Sequence, residues 1–268
     1  MNNTEQNPVE ELLSHYRSIY RSKNPVEEII RIEGDIPDGI KGKIQLNYVA
    51  EPFYGYFDED MDKDALLLLI NPGEVDEKKG YCSIDKFNEF HRERYLHWTK
   101  KEYFEEKERL KEIHPSGNRW REKRKKDINR IIKSKDPSEE IRFLHTMEFF
   151  PFHSEKFNFA SKRNMEWMCK SKSSNLIFKA IKYIAEQHKL KYIFGIGLPW
   201  VAIFEKYGFK PCDKREYRNE ATGRYRFRLY KYQFSESSVP IIISILGGGR
   251  ISLPSNPLIV DEIRKMLD

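Results

Sequence analysis

The chain has 268 residues, enough to bury a sizeable core as one large domain or two small ones. It is 39% hydrophobic and 13% aromatic, which excludes a disordered chain, and 34% charged, so long stretches are solvated surface. The net charge of +6 at pH 7 says little until its place in the chain is known, while the lack of any apolar run near the roughly 20 residues that cross a bilayer predicts no membrane partner.

In chain order, Pro8 to Arg31 reads as one or two amphipathic helices, broken at Asn24-Pro25. Gly42 to Phe57, rich in Tyr and Phe, reads as an irregular strand. Ala65 to Ile70 is a continuous apolar run stopped by Asn71-Pro72-Gly73, the pattern of a strand covered on both faces. Ile84 to Ile132 is helical and heavily charged, with a helix-breaking turn at His114-Pro115-Ser116-Gly117. A second apolar run spans Ile141 to Phe152, and an amphipathic helix spans Asn175 to His188. It feeds a third strand, Tyr192 to Ile196, then Gly197-Leu198-Pro199 and a helix from Trp200 to Tyr207. Arg224 to Phe234 alternates basic and aromatic residues as a hairpin strand does. A fourth apolar strand, Pro240 to Leu246, runs into three glycines, and Ile259 to Leu267 closes as a helix. Apolar strands alternating with helices predict an α/β fold of three layers, with a central, mainly parallel sheet of four strands. No repeat or low-complexity linker divides it, so a single domain over 1–268 is expected. It carries an N-terminal extension (1–60), a charged helical insertion (84–140) and a basic β-hairpin.

Charge is patterned. Thr99 to Lys135 holds 14 Lys or Arg against 7 Asp or Glu, a net of +7, and Lys214 to Lys231 holds 7 against 2, a net of +5. The three cysteines, Cys82, Cys169 and Cys212, are too scattered for a zinc or iron–sulfur site. No metal and no cofactor is expected. With these thiols and a polar, acidic start unlike a signal peptide, the expectation is a cytoplasmic monomer.

In open α/β sheets, ligands bind beyond the carboxyl ends of the strands. Here each core strand runs out into unusual residues: Asn71-Pro72-Gly73; Glu148-Phe149-Phe150-Pro151-Phe152-His153-Ser154; Gly195 and Gly197; and Gly247 through Pro257. A strand running into Asn-Pro-Gly resembles the first motif of the mismatch-specific branch of the uracil-DNA glycosylase superfamily. Tyr192 to Phe209 resembles that family's third strand and helix. The last strand with its glycine-rich loop, Pro254-Ser255 and terminal helix resembles its second motif. The likeness covers Ala65 to the C-terminus. Leu253-Pro254-Ser255 lacks the polar residue that usually leads this motif, and the His114-Pro115-Ser116 letters fall before the second strand, out of order.

The resemblance implies a DNA glycosylase: a flipped, damaged, mismatched or modified pyrimidine is cut from the sugar, leaving an abasic site. Breaking the N-glycosidic bond builds positive charge on the sugar and negative charge on the leaving base, so a held water and donors to the base are required. The resemblance implies that Asn71 positions the water and that Pro72, Gly73, Phe149 and Gly197 line the pocket. Tyr81 falls where the family places an aromatic platform for the base. Glu148 lies in an apolar run where the family reads the base. A carboxylate accepts hydrogen bonds, which suits the amine of a cytosine-like, modified base, possible in foreign or phage DNA; a salt bridge to Lys156 or Arg163 is the plain alternative. His153 either donates to the leaving base or a phosphate, or caps a helix. For DNA, Gly248 and Gly249 offer backbone N–H groups, with Arg250, Ser252, Ser255 and Asn256 beside them. Leu253 is the candidate wedge, and Arg224, Arg226 and Arg228 share one strand face. Arg119 to Arg130 supplies a second basic rim, a lid, or only a solvated helix. Open alternatives are an N-glycosidase on free nucleosides or nucleotides, a catalytically inactive nucleic-acid-binding module and, last, a phosphate-binding transferase, for which no P-loop is present.

Overall fold

The computed structural model describes residues 7–34, 36–57, 61–75, 82–93, 99–113, 115–133, 139–154, 161–247 and 252–267. The elements begin with α1 (Pro8–Arg21), α2 (Pro25–Glu33), α3 (Asp38–Lys41), β1 (Phe53–Tyr54) and β2 (Met61–Leu69). Then come α4 (Ile84–Glu93), α5 (Lys100–Glu105), α6 (Lys107–Ile113), α7 (Pro115–Lys133), β3 (Leu144–Glu148), α8 (Lys162–Lys170) and α9 (Lys172–Glu186). The chain continues through β4 (Leu190–Ile196), α10 (Pro199–Lys206), β5 (Asp213–Arg218), β6 (Tyr225–Tyr232), β7 (Ile241–Leu246) and α11 (Pro257–Leu267).

The α/β class stands, but the sheet is larger than expected: seven strands, mixed, in the order β1-β3-β2-β4-β7-β6-β5. β2, β4 and β7 pair in parallel, whereas β5, β6 and β7 pair antiparallel. The hairpin that reads as an appendage is part of the sheet, because β7 is apolar and would otherwise present an open, sticky edge. Among the described residues no helix is long and apolar enough to cross a membrane.

Contacts divide the chain into two compact units. One comprises Asp60–Leu69, Gly117–Thr146 and Ala185–Asp268. Ala65 to Leu68 of β2 are all fully buried, and Ala65 and Leu67 belong to a core with Phe194, Ile242, Ile128 and Ile131 of α7, and Ile259 and Ile263 of α11. β6 shows the alternation of a half-covered strand: Phe227 and Leu229 enter this core while Arg226 and Arg228 take the other face. Gly195 is required by space, since a Cβ there would stand 2.4 Å from Ile243 Cδ1.

The other unit comprises Met1–Glu59, Ile70–Ser116 and Met147–Ile184. α1 starts at Asn7, whose side chain accepts from Val9 N–H, and buries Leu12, Tyr16 and Ile19 along one face. Asn24 caps α2 in the same way through Glu27 N–H. At the far end of α2, the buried Glu33 carboxylate meets the first turn of α9, accepting from Ser173 N–H at 3.1 Å and from the Ser173 hydroxyl. That is an anion at a helix N-terminus, although burial still raises the Glu33 carboxyl above its ordinary range. His15 completes the cluster, its Nε2 3.4 Å from Ser173 Oγ, and burial, reinforced by Lys172, lowers its pKa to about 4.

Two outcomes follow. Gly195→Ala should cost about 1–3 kcal/mol by overpacking, and Ile243→Val, which deletes the offending Cδ1, should restore part of it; a double-mutant cycle from urea unfolding measures the coupling. For His15, the unfolded ring takes a proton near pH 6.5 that the folded ring refuses until about pH 4. Stability therefore falls as pH drops through that window, and His15→Gln should flatten that part of a urea-midpoint profile taken from pH 7 to pH 4.

Candidate active site

β2 ends at Leu69, and the chain turns out through Ile70, Asn71, Pro72 and Gly73. Gly73 has φ +85°, a left-handed conformation that a side chain would strain. β3 ends at Glu148, and its exit, Phe149 to Ser154, runs beside the exit of β2. Phe150 N–H donates to Ile70 O at 2.7 Å, and Ser154 N–H donates to Gly73 O at 3.1 Å. The side chains repeat the junction. Asn71 Nδ2 donates to Ser154 Oγ at 2.7 Å, and His153 Nδ1 lies 3.1 Å from Gly73 O. With its nitrogen engaged, the Asn71 amide presents its oxygen as an acceptor, and no described residue bonds that oxygen. Two segments about 80 residues apart thus meet at the carboxyl ends of their strands.

A third segment closes the site, one the sequence reading had not assigned to it. Instead of a full strand, residues 44–54 form a rail that runs antiparallel to 148–154 and is interrupted by a turn at 46–48, where Tyr48 N–H donates to Gln45 O. Ile44 bridges Ser154, Gln45 N–H donates to His153 O, Glu51 N–H to Pro151 O, and Glu148 N–H to Pro52 O. The rail is held from outside by Asn88 of α4, which accepts from Val49 N–H and donates to Asn47 O, and by Tyr20 of α1, whose hydroxyl accepts from Ala50 N–H. Gln45 clamps Val75 at both backbone groups. The rail brings Glu51 Oε1 to 2.9 Å from His153 Nε2, with the two side chains 9% and 1% exposed. Gly73 O thus holds the Nδ1 side of the imidazole, while Nε2, buried beside the Glu51 carboxylate, makes no hydrogen bond of its own among the described residues. Phe87 stands edge-on to His153 at 5.3 Å between ring centres, with Tyr48 at 6.0 Å. Glu51 carried a readable signal: an acid between Val49-Ala50 and Pro52-Phe53-Tyr54 is as anomalous as Glu148 in its own apolar run.

The other expected residues divide. Glu148 is buried at the end of β3. Phe149 is fully buried, its carbonyl accepting from Ser174 Oγ, so its ring belongs to packing and not to an open pocket wall. Gly197 (φ +105°) follows β4 and donates its N–H to Ser244 O of β7, so it continues the ladder between those two strands. Leu253 is 3% exposed within the core and so cannot serve as a projecting wedge; the projecting residue of that segment is Leu258, 71% exposed at the start of α11. Asn256 caps α11 by accepting from Leu258 N–H, with Ser255 exposed and Ser252 half-buried beside it. Arg224 and Arg226 are exposed and Arg228 is half-buried opposite Glu216. In register, Phe227 faces Leu246, the last residue of β7, so the tip of the hairpin reaches past the carboxyl end of that strand. Tyr81, Gly248, Gly249, Arg250 and His114 lie outside the described residues; of the expected turn at 114–117, Pro115, Ser116 and Gly117 instead form the first turn of α7.

A cleft of about 700 Å³ opens at the amino ends of β2, β4 and β7, among Asp62, Lys63, Glu139, His188 and Lys191. None of the residues singled out above lines it. Among the described residues no three His, Cys, Asp or Glu gather as metal ligands.

Glu51→Ala should cost about 1–3 kcal/mol of unfolding free energy in a urea titration, because it removes the buried carboxylate that stands 2.9 Å from His153 Nε2; Glu51→Gln, which keeps the shape and a polar oxygen there, should cost less. No protein family, characterised protein or solved structure was found to match the chain.

Proposed function

We propose that this protein is a DNA glycosylase that hydrolyses the N-glycosidic bond of a flipped pyrimidine, with a cytosine-like modified base as its substrate. The observation that carries the reading is the junction of Asn71-Pro72-Gly73 with His153-Ser154 at the carboxyl ends of β2 and β3. The parallel order supports it, because successive strands leave β2 in opposite directions, and ligands of open α/β sheets gather where the order reverses. Within that reading the three-layer arrangement of the glycosylase superfamily is the expected frame, with the extra strands at its edges.

Each group has a definite task. Serine 154 holds the Asn71 nitrogen, so the amide oxygen faces outward to orient a water toward the sugar carbon. An amide takes up no proton, so the rate depends on how well the departing base is stabilised. His153, held at Nδ1 by Gly73 O, offers Nε2 as a hydrogen-bond donor to that base. Glu148 accepts from the exocyclic amine that distinguishes cytosine from uracil. The hairpin arginines and the cap of α11 hold phosphates.

The test incubates the protein with duplex and single-stranded oligonucleotides carrying uracil, mismatched thymine or 5-modified cytosine, then applies alkali to reveal abasic sites. Asn71→Ala should reduce strand breaks by about 100-fold or more, and Glu148→Gln should shift preference away from amine-bearing bases. Salt-sensitive binding with no abasic site on any substrate would instead mark a binding module. Excision that ignores salt and acts on free nucleosides would mark a small-molecule N-glycosidase.

A further inference from the structure

Helix α7 is asymmetric in charge. Its inner face packs Ile128, Ile131 and Ile132 into the core. The one cation on that side, Arg124, is buried, neutralised by Asp127 at 2.8 Å and stacked over the Trp120 ring. Asp127 also pairs with Arg130, so this acid is used up close to the core. The outer face carries Arg119, Lys123, Lys126 and Arg130, all exposed, at intervals of four, three and four residues, with Glu122 as the exposed acid among them. Arg119, Lys123 and Lys126 make no ion pair with any described residue.

This arrangement is unfavourable for an isolated helix. Like charges three and four residues apart repel along its length, and the first turn holds no acid to meet the positive end of the helix. A polyanion laid along the stripe removes both penalties. The stripe from Arg119 to Arg130 rises about 17 Å at 1.5 Å per residue, close to the length of five base steps of duplex. A protein partner fits less well, since the outer face offers no exposed aromatic or aliphatic anchor; Trp120 is spent under Arg124. A membrane surface fits less well again, because the apolar face of α7 is already packed into the core.

We propose that the outer face of α7 is a second, sequence-independent contact for the phosphate backbone of duplex DNA, distinct from the residues that handle the base. The proposal rests on the reading of the partner as DNA, and not on excision chemistry.

The test is the salt dependence of binding to an unmodified duplex of arbitrary sequence about 20 base pairs long. Each phosphate contact contributes about 0.9 to the slope of log affinity against log salt. The variant Arg119→Ala/Lys123→Ala/Lys126→Ala should therefore show a slope shallower by about 2 to 3, and an affinity near 50 mM salt at least tenfold weaker. Its circular dichroism melt should be no lower than that of the unaltered protein, because the substitutions relieve repulsion. Arg119→Lys/Lys123→Arg/Lys126→Arg, which keeps the charge, should bind as the unaltered protein does. An unchanged slope in the alanine variant would overturn the proposal, as would absence of binding by the unaltered protein. So would loss of binding to poly-glutamate with duplex binding intact, which would assign the stripe to an acidic protein. Excision at saturating protein in low salt should survive the triple substitution, so loss of the stripe and loss of the chemistry are read separately.

Discussion

The carbonyl of Gly73 accepts from the backbone of Ser154 and faces the ring of His153, and the rest of the candidate site depends on that oxygen being where it is. A strand exit would ordinarily be an independent loop with its backbone groups turned to water. Here the exits of β2 and β3 satisfy each other, and the rail of residues 44–54 satisfies the outer side of the second exit. The glycine is what permits it, because at φ +85° a side chain would strain the turn that aims the carbonyl. Once the two exits are tied, Asn71 and His153 stand at fixed places without needing contacts of their own to a long lever of chain.

Charge is treated in two ways in this protein. Where it enters the interior it is matched: Asp64, fully buried on β2, meets His145 Nε2 at 3.1 Å and Arg142 Nε at 3.2 Å, and Arg124 meets Asp127. Stripping these groups of water is costly, so each needs its partner, and the pairings favour one strand register over slipped ones. On the surface the opposite holds. The outer face of α7 leaves three cations without a local counter-charge, and the hairpin clusters arginines past the end of β7.

Much of the scaffold was legible because it follows from short-range rules. The breaks at Asn24-Pro25 and after Ile113, the strands ending at Leu69, Ile196 and Leu246, and the helix closing at Leu267 all stand within a few residues of the expected places. Those signals are local: prolines that forbid a donor, asparagines that cap, and apolar runs that require burial on both faces. The seven-strand sheet was not legible, since whether a basic, aromatic hairpin pairs with β7 or stands apart depends on an edge that the hairpin's own residues do not encode. Phe149 and Leu253 were misplaced for a related reason. Periodicity shows that a residue is apolar but not which side of a loop faces the core.

The sequence by itself determined the α/β class, the apolar strands β2, β4 and β7 with the residues that follow them, and the unequal distribution of charge along the chain. Each of these is set by neighbours within a few positions. Only the tertiary structure decided that Asn71 meets Ser154, that His153 sits between Gly73 O and Glu51, and that Leu258 projects while Leu253 is buried. These are contacts across about 80 to 100 residues, or choices between two sides of a loop. They are settled by which surfaces must exclude water together, and that is a property of the packed whole.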